Sequence, residues 1–350
     1  MKQKTIGYFP HSNNLSHPAD RRRLVFWAAN TNIKINTFNL NSESVVVLSN
    51  AANFAKWMKN GNQIVILDLV DGYLGENPSF VVDLLRNIVK SLNGTSSIKW
   101  ITYSRHLKFA CRKANGVIVA SYEQKLEVQK YCSNVHVILD NHDEVFQEVL
   151  NSNSKNSKNS IFWEGFPYTF KHFRVLNKQL DPVLIEHDYE LTLVSKKKFK
   201  KWGGYIWNQD LEKLVARLFP ISKRQVKVIE WSIPKLTESA KNSDLAVIPV
   251  DTSDRFARLK PENKLLSMWA LGIPTLVSPT PAYTRVMVEA GLENCLVEDS
   301  DWGSKIVALM DDKQERERII AKGRKYLGEN HTEFVLLQRW NSALLNWINP

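Results

Sequence analysis

The sequence predicts an α/β protein of two doubly wound domains, each built on a parallel sheet. Three observations carry this. Short runs rich in Val, Ile and Leu alternate with amphipathic stretches along both halves, the pattern of parallel strands covered on both faces. The length of 350 residues exceeds what one core usually accommodates. The segment Asn151-Ser-Asn-Ser-Lys-Asn-Ser-Lys-Asn-Ser160 has nothing to bury and reads as a linker.

The elements follow in order. In the first half, strands are expected at Lys4–Phe9, Lys34–Phe38, Val45–Leu48, Gln63–Asp68, Ile98–Thr102, Gly116–Ser121 and Val135–Leu139. Helices are expected at Pro18–Asn30, Ala51–Asn60, Ser79–Leu92, Leu107–Asn115 and Tyr122–Tyr131, each with apolar residues at helical spacing. In the second half, strands are expected at Ser160–Trp163, Glu190–Ser195, Val226–Glu230, Asp244–Val250 and Thr275–Ser278. Between and after them, helices are expected at Phe170–Leu180, Gln209–Leu218, Ile233–Ser243, Ala282–Ala290, Trp302–Met310 and Lys313–Leu327. After a break at Gly328–His331, an amphipathic helix over Phe334–Trp347 closes the chain.

The most informative stretch runs from Arg255 to Pro274. Pro261 suits a first helical turn, where its missing N–H has no intrahelical partner. Leu265, Leu266, Trp269 and Ala270 make one apolar face. Gly272 suits a left-handed C′ position, and Pro274 blocks continuation. Arg255, Arg258, Lys260 and Lys264 surround the start of this helix, and a helix N-terminus flanked by cations suits an anion.

Composition narrows the partners. The net charge of +11 and pI of 9.4 favour anionic ones: nucleotides, acidic glycans, an anionic membrane or nucleic acid. Three scattered cysteines, Cys111, Cys132 and Cys295, argue for a reducing compartment and against a disulfide framework. The start of the chain has no apolar signal region, and no apolar run is long enough to span a bilayer. A cytoplasmic protein, soluble or attached peripherally to a membrane, is expected. No Walker loop, Gly-x-Gly-x-x-Gly after the first strand or serine-hydrolase elbow is present, and the acidic pair Asp311-Asp312 and the isolated Asp181-Pro do not make the Asp-x-Asp pattern of metal-dependent transferases.

The order of elements resembles the nucleotide-sugar-dependent glycosyltransferases of the GT-B fold. The likeness rests on Ala114-Asn-Gly-Val-Ile-Val-Ala-Ser121 with Val135-His-Val-Ile-Leu-Asp140, and on Ile161-Phe-Trp-Glu-Gly165 after the linker. It is most specific in Asp244-Leu-Ala-Val-Ile-Pro-Val250, Lys260-Pro-Glu-Asn-Lys264 and Ala270-Leu-Gly-Ile-Pro274. The resemblance implies two facing Rossmann-like domains with an interdomain cleft. Residues 1–150 would bind the acceptor and 161–330 the donor. Residues 151–160 would link them, and a helix within 331–350 would cross back to the first domain. Many retaining members carry two glutamates at fixed distances before the Gly-x-Pro; Leu259 and Ser267 stand there instead. The resemblance therefore leaves inverting and retaining stereochemistry both open.

The implied activity is transfer of a sugar from a nucleotide-diphosphate donor to a glycan or lipid-linked glycan, in surface polysaccharide assembly. No metal or other cofactor is expected. Arg255, Lys260 and Lys264 fit neutralisation of the leaving diphosphate. Ser267, with Glu262 or Asn263, fits ribose binding. Ser195 and Thr280, each after a strand carboxyl end, fit phosphate or donor hydroxyls. Trp231 stands where this fold tends to hold the nucleotide base. An inverting enzyme needs a general base on a first-domain loop. Asp71, beside Gly72, is the first candidate and His11 follows, ahead of Asp68, Arg105 and His106. The basic start His17-Pro-Ala-Asp-Arg-Arg-Arg23 reads as a solvated face, with an anionic acceptor or lipid as the functional alternative. The rival readings are a non-catalytic binder of sugar nucleotides or glycans and, last, a nucleic-acid-binding protein. No nucleic-acid module is recognisable, so no nucleic-acid partner is expected.

Overall fold

A computed structural model describes residues 4–58, 63–97, 99, 101–142, 159–201 and 206–348. Residues 151–158 of the expected linker lie outside the described residues. The chain divides into two compact units. One holds residues 1–141 and 331–350, with 259–261; the other holds 142–258 and 262–330.

The first unit contains a parallel six-stranded sheet. Its strands are β1 (Lys4–Phe9), β2 (Ile33–Asn36), β3 (Val45–Ser49), β4 (Ile64–Leu69), β5 (Gly116–Val119) and β6 (Val135–Val137), in the order β2-β1-β3-β4-β5-β6. Period-two alternation splits these strands between two cores. Val46, Leu48, Val65, Leu67, Val117 and Val119 pack with Tyr103, Leu107 and Ala110 on one face. Ile6, Tyr8, Val45, Val47, Ile66 and Ile118 pack with Leu24 and Trp27 on the other. The last helix, Glu333–Ile348, completes this second core with Trp340, Ala343 and Leu344. The Trp27 and Trp340 rings stack at 6.3 Å, and Trp27 Nε1 donates to Asn341 at 2.8 Å.

The second unit has a parallel five-stranded sheet. Its strands are β7 (Ser160–Glu164), β8 (Glu190–Ser195), β11 (Val226–Glu230), β12 (Leu245–Ile248) and β13 (Thr275–Val277), in the order β11-β8-β7-β12-β13. A separate antiparallel pair joins β9 (Lys198–Lys201) and β10 (Ile206–Asp210). Each parallel sheet reverses its strand order once, between β1 and β3 and between β7 and β12. In open α/β sheets the crevice for a ligand forms at that switch point, outside the strand carboxyl ends.

Several expected elements differ. The single helix over Pro18–Asn30 is two helices, Pro18–Arg21 and Leu24–Ala29, because Arg23 leaves the helical region (φ −122, ψ −110). No strand forms at Ile98–Thr102 among the described residues; Ile98 and Trp100 lie outside them. Thr102 instead caps a helix over Tyr103–Lys113, and the Asp83 carboxylate accepts the Ser104 N–H. A strand not expected from the sequence forms at Lys198–Lys201, paired with β10. The helix expected from Phe170 begins as a 3₁₀ stretch, Pro167–Val175, followed by Asn177–Glu186. Helix Lys313–Asn330 runs through Gly328, so the expected break is confined to its end.

Candidate functional site

The stretch from Arg255 to Pro274 folds as a short helix, Arg255–Arg258, then a helix over Asn263–Ala270. Pro261 precedes the second helix, where Glu262 holds the N-cap position. Gly272 has φ +74, its N–H reaches the Trp269 carbonyl at 3.0 Å, and the Ile273 N–H reaches Met268 at 3.1 Å. This is a Schellman motif, which satisfies the last carbonyls of the helix and turns the chain into β13. Leu265, Leu266 and Trp269 are fully buried, and Trp269 packs edge-on against Tyr326 at 5.8 Å. The C-terminal half of the helix is therefore anchored. At the other end the Glu262 side chain makes no capping hydrogen bond, and the positive end of the helix dipole lies there.

Lys264 sits in that first turn. Its ammonium lies 4.9 Å from the centre of the Trp163 ring on β7. Gly165, just past β7 at the switch point, makes this arrangement possible. A Cβ there would stand 2.6 Å from Lys264 Nζ and 2.7 Å from Trp163 Cζ2. The same turn receives Ser195 from the end of β8, whose hydroxyl donates to the Gly165 carbonyl at 2.6 Å. The carboxyl ends of β7 and β8 and the start of helix Asn263–Ala270 thus converge on one cation. Arg285 adds a second to the same helix start, through its 2.8 Å ion pair with buried Glu262.

The structure gives the other expected donor residues different work. Ser267 donates to the Asn263 carbonyl at 3.0 Å and lies 2.9 Å from His142 Nδ1, so its hydroxyl is already engaged on both sides. Thr280, 2% exposed, caps the helix Pro281–Glu289 by accepting the Tyr283 N–H. Its neighbour Ser278 accepts the Val250 N–H at 2.9 Å and fixes the turn after β12. Asn263 opens the helix; Lys260 is half-buried, and Arg255 is exposed on its own short helix. Lys171 pairs with Asp254 at 2.6 Å, just before Arg255. Burial favours protonation of Asp254, but that lysine and the Ala257 N–H outweigh it and hold the carboxyl below its ordinary range.

In the first unit, His11 follows β1 at the switch point. Its N–H donates to Asp20 Oδ1 at 2.7 Å, and its ring stacks on His17 at 5.0 Å. Burial pushes the imidazole below its ordinary pKa, against the opposing pull of Asp68, Asp20 and Asp71. Its Nε2 is buried without a hydrogen-bond partner among the described residues. A neutral ring with an unengaged nitrogen can take a proton. Asp71 is exposed after β4; Gln124 Nε2 holds its carbonyl at 2.8 Å and the Leu69 carbonyl at 3.0 Å. His11 and Asp71 are thus in the same electrostatic neighbourhood. Asp68 is structural, paired with Arg23. His106 is fully buried, stacked on Phe54 and Tyr103.

Sequence reasoning missed Asp20. This buried carboxylate accepts from Tyr8 Oη (2.7 Å), the His11 and Ser12 N–H groups (2.7 and 2.9 Å) and Ser12 Oγ (2.9 Å). It holds the loop that carries His11. Its place directly before three arginines read as a solvated face hid it, and only the three-residue offset from Arg23 hints at a shared inward face. A cavity of about 500 Å³ at the start of β7 and β8, lined by Ser160, Glu190 and Lys227, lies at the opposite strand ends and adds nothing to this site. Among the described residues no group of three or more His, Cys, Asp or Glu side chains is placed to hold a metal ion.

No family model and no curated protein matches the sequence. Solved structures do. TarM of S. aureus aligns with a TM-score of 0.58 at 12% identity, over 87% of this chain and 55% of TarM. The chain thus spans about half the length of TarM. WaaG, a glycosyltransferase involved in lipopolysaccharide biosynthesis, aligns at 0.55 and 12% identity over 97% of both chains. The N-terminal domain of Candida albicans trehalose-6-phosphate phosphatase aligns at 0.63 and 10% identity, over 99% of this chain and 97% of that one. At such identities the likeness is one of architecture, and by architecture this chain has the GT-B fold of nucleotide-sugar glycosyltransferases.

Proposed function

We propose that this chain is a metal-independent glycosyltransferase that uses a nucleotide-diphosphate sugar. The acceptor is a glycan or lipid-linked glycan, and the setting is surface polysaccharide assembly on the cytoplasmic face of a membrane. The observation that carries the donor half is the placement of Lys264. One cation stands over Trp163, in the first turn of a helix, beside a glycine at the sheet's switch point. In sugar transfer the bond between the anomeric carbon and the diphosphate oxygen breaks, and negative charge builds on the departing phosphate. A fixed ammonium and helix N–H groups stabilise that charge. In TarM, which shares the fold, a solved complex contains UDP. On the acceptor side, neutral His11 is the better base by protonation state and exposed Asp71 by access.

A non-catalytic binder is the second reading. It is favoured by Leu259 and the engaged Ser267, where many retaining relatives carry glutamates. A thermal-shift panel of UDP, GDP, dTDP, ADP and CMP sugars tests the donor site. Saturation at about a hundred times the dissociation constant adds about 2.7 kcal/mol to stability. Lys264→Ala is expected to weaken the response at least tenfold in affinity, and Lys223→Ala, on an exposed residue, to leave it intact. No shift with any nucleotide sugar overturns the proposal. Release of nucleotide with a glycan acceptor then separates enzyme from binder.

A further inference from the structure

Helix Phe80–Leu92 is packed inside out. Its buried positions are polar: Asp83 is 5% exposed and Asn87 2%. Asp83 accepts the Ser104 N–H at 3.1 Å, and Asn87 Oδ1 accepts Ser96 Oγ at 2.6 Å. A bidentate pair from Arg86 to Glu76, at 2.7 and 2.9 Å, fixes its flank. Its apolar residues point outward instead. Val81, Leu85, Ile88 and Leu92 follow helical spacing and are 62, 47, 44 and 79% exposed, with Phe80 at 60% beside them. A contiguous apolar stripe on the surface marks a place of interaction. The charge around it is one-sided. Residues 79–113 contain seven Lys and Arg and a single carboxylate, the inward-facing Asp83. Exposed Lys99 and Arg105 bracket exposed Ile101 on the segment that Asp83 and Asn87 tie to the helix.

We propose that this outward face of helix Phe80–Leu92, with Lys99 and Arg105, docks the protein on an anionic lipid bilayer. The proposal rests on the membrane setting of the function above and names the surface responsible. A stripe one helix long with a cationic margin suits shallow insertion at the headgroup boundary, where apolar burial and attraction to anionic lipid add. No described helix is long and apolar enough to cross a membrane, so this attachment would be peripheral. A second copy fits less well. A two-fold contact through the stripe would set the same cations against each other with no accessible carboxylate in the segment to pair them.

The test is co-flotation of the full chain with vesicles of phosphatidylcholine alone or mixed with phosphatidylglycerol. The expected result is partition onto the mixed vesicles, at least tenfold weaker on neutral ones and suppressed by salt. Leu85→Glu with Ile88→Glu should abolish it, and Leu92→Glu alone should weaken it. Lys99→Ala and Arg105→Ala should each cost about fivefold. All these positions are exposed, so melting temperatures should match the parent. Equal partition onto both vesicle types, or unchanged partition of the Glu variants, overturns the proposal. So does a dimer that depends on Leu85 with no vesicle binding. The nucleotide-sugar shift is measured on the same samples. A retained shift without vesicle binding refutes only the docking surface; vesicle binding without a shift refutes only the donor site.

Discussion

The Arg23 guanidinium grips both oxygens of the Asp68 carboxylate, at 2.6 and 3.1 Å, with neither side chain exposed to solvent. Arg23 also donates to the Ile138 carbonyl at 2.6 Å and to Asp140 at 3.3 Å, and lies 5.8 Å from the Trp340 ring. One side chain thereby joins the ends of β4 and β6 to the last helix. Removing it strands a buried carboxylate. Arg23→Met is expected to cost about 3–5 kcal/mol in urea unfolding. The double variant Arg23→Met with Asp68→Leu should recover much of that, because the loss lies mainly in the orphaned charge. A double variant as unstable as the single one would show that the pair itself, not the stranded charge, carries the stability.

His106 makes stability depend on pH. Burial is the main cause that lowers its pKa to about 4, and Lys90 adds to it. Neither ring nitrogen has a hydrogen-bond partner among the described residues. The folded pKa lies below the unfolded one, so protons bind preferentially to the unfolded chain. The contribution is complete above the unfolded value of about 6.5 and is lost as pH falls toward 4, to a total of about 3 kcal/mol. Unfolding free energies measured across that window should slope steeply in the parent. In His106→Phe, which keeps the stack with Phe54, the slope should flatten; an unchanged slope would assign it to other groups.

Gly165→Ala probes the cation through its neighbour. The new methyl would collide with Lys264 Nζ, the Trp163 ring and, at 3.1 Å, Thr169 Oγ1. The ammonium can swing away; the buried ring cannot, so a stability cost of about 1–3 kcal/mol is expected. Nucleotide affinity should fall about as far as in Lys264→Ala. Equal affinity in parent and variant, measured by calorimetry, would remove this turn from the donor site.

Much of the architecture was legible because parallel strands announce themselves as apolar runs. β3, β4, β5 and β12 stand close to where the sequence places them. The rest depended on partners distant in sequence. Arg23 and Asp20 sit in a stretch that reads as solvated, and the residue that buries Arg23 is 45 positions away. The apolar period of helix Phe80–Leu92 identified a helix but not which side faces the core. The Ser104 N–H bond to Asp83 and the Arg86–Glu76 ion pair decided that. At the candidate site, the cations and the turn at Gly272 were readable from residue type. The hydroxyls of Ser195, Ser267 and Thr280 were readable only as polar groups near strand ends, and each is committed to a backbone group or a neighbouring side chain.

The last helix has a consequence for how the molecule is made. Trp340, Ala343 and Leu344 close a core whose other walls come from β1, β3 and the helix containing Trp27. An emerging chain exposes that wall throughout synthesis of the entire second unit. The core of the first unit is therefore completed only after the whole second unit has been translated.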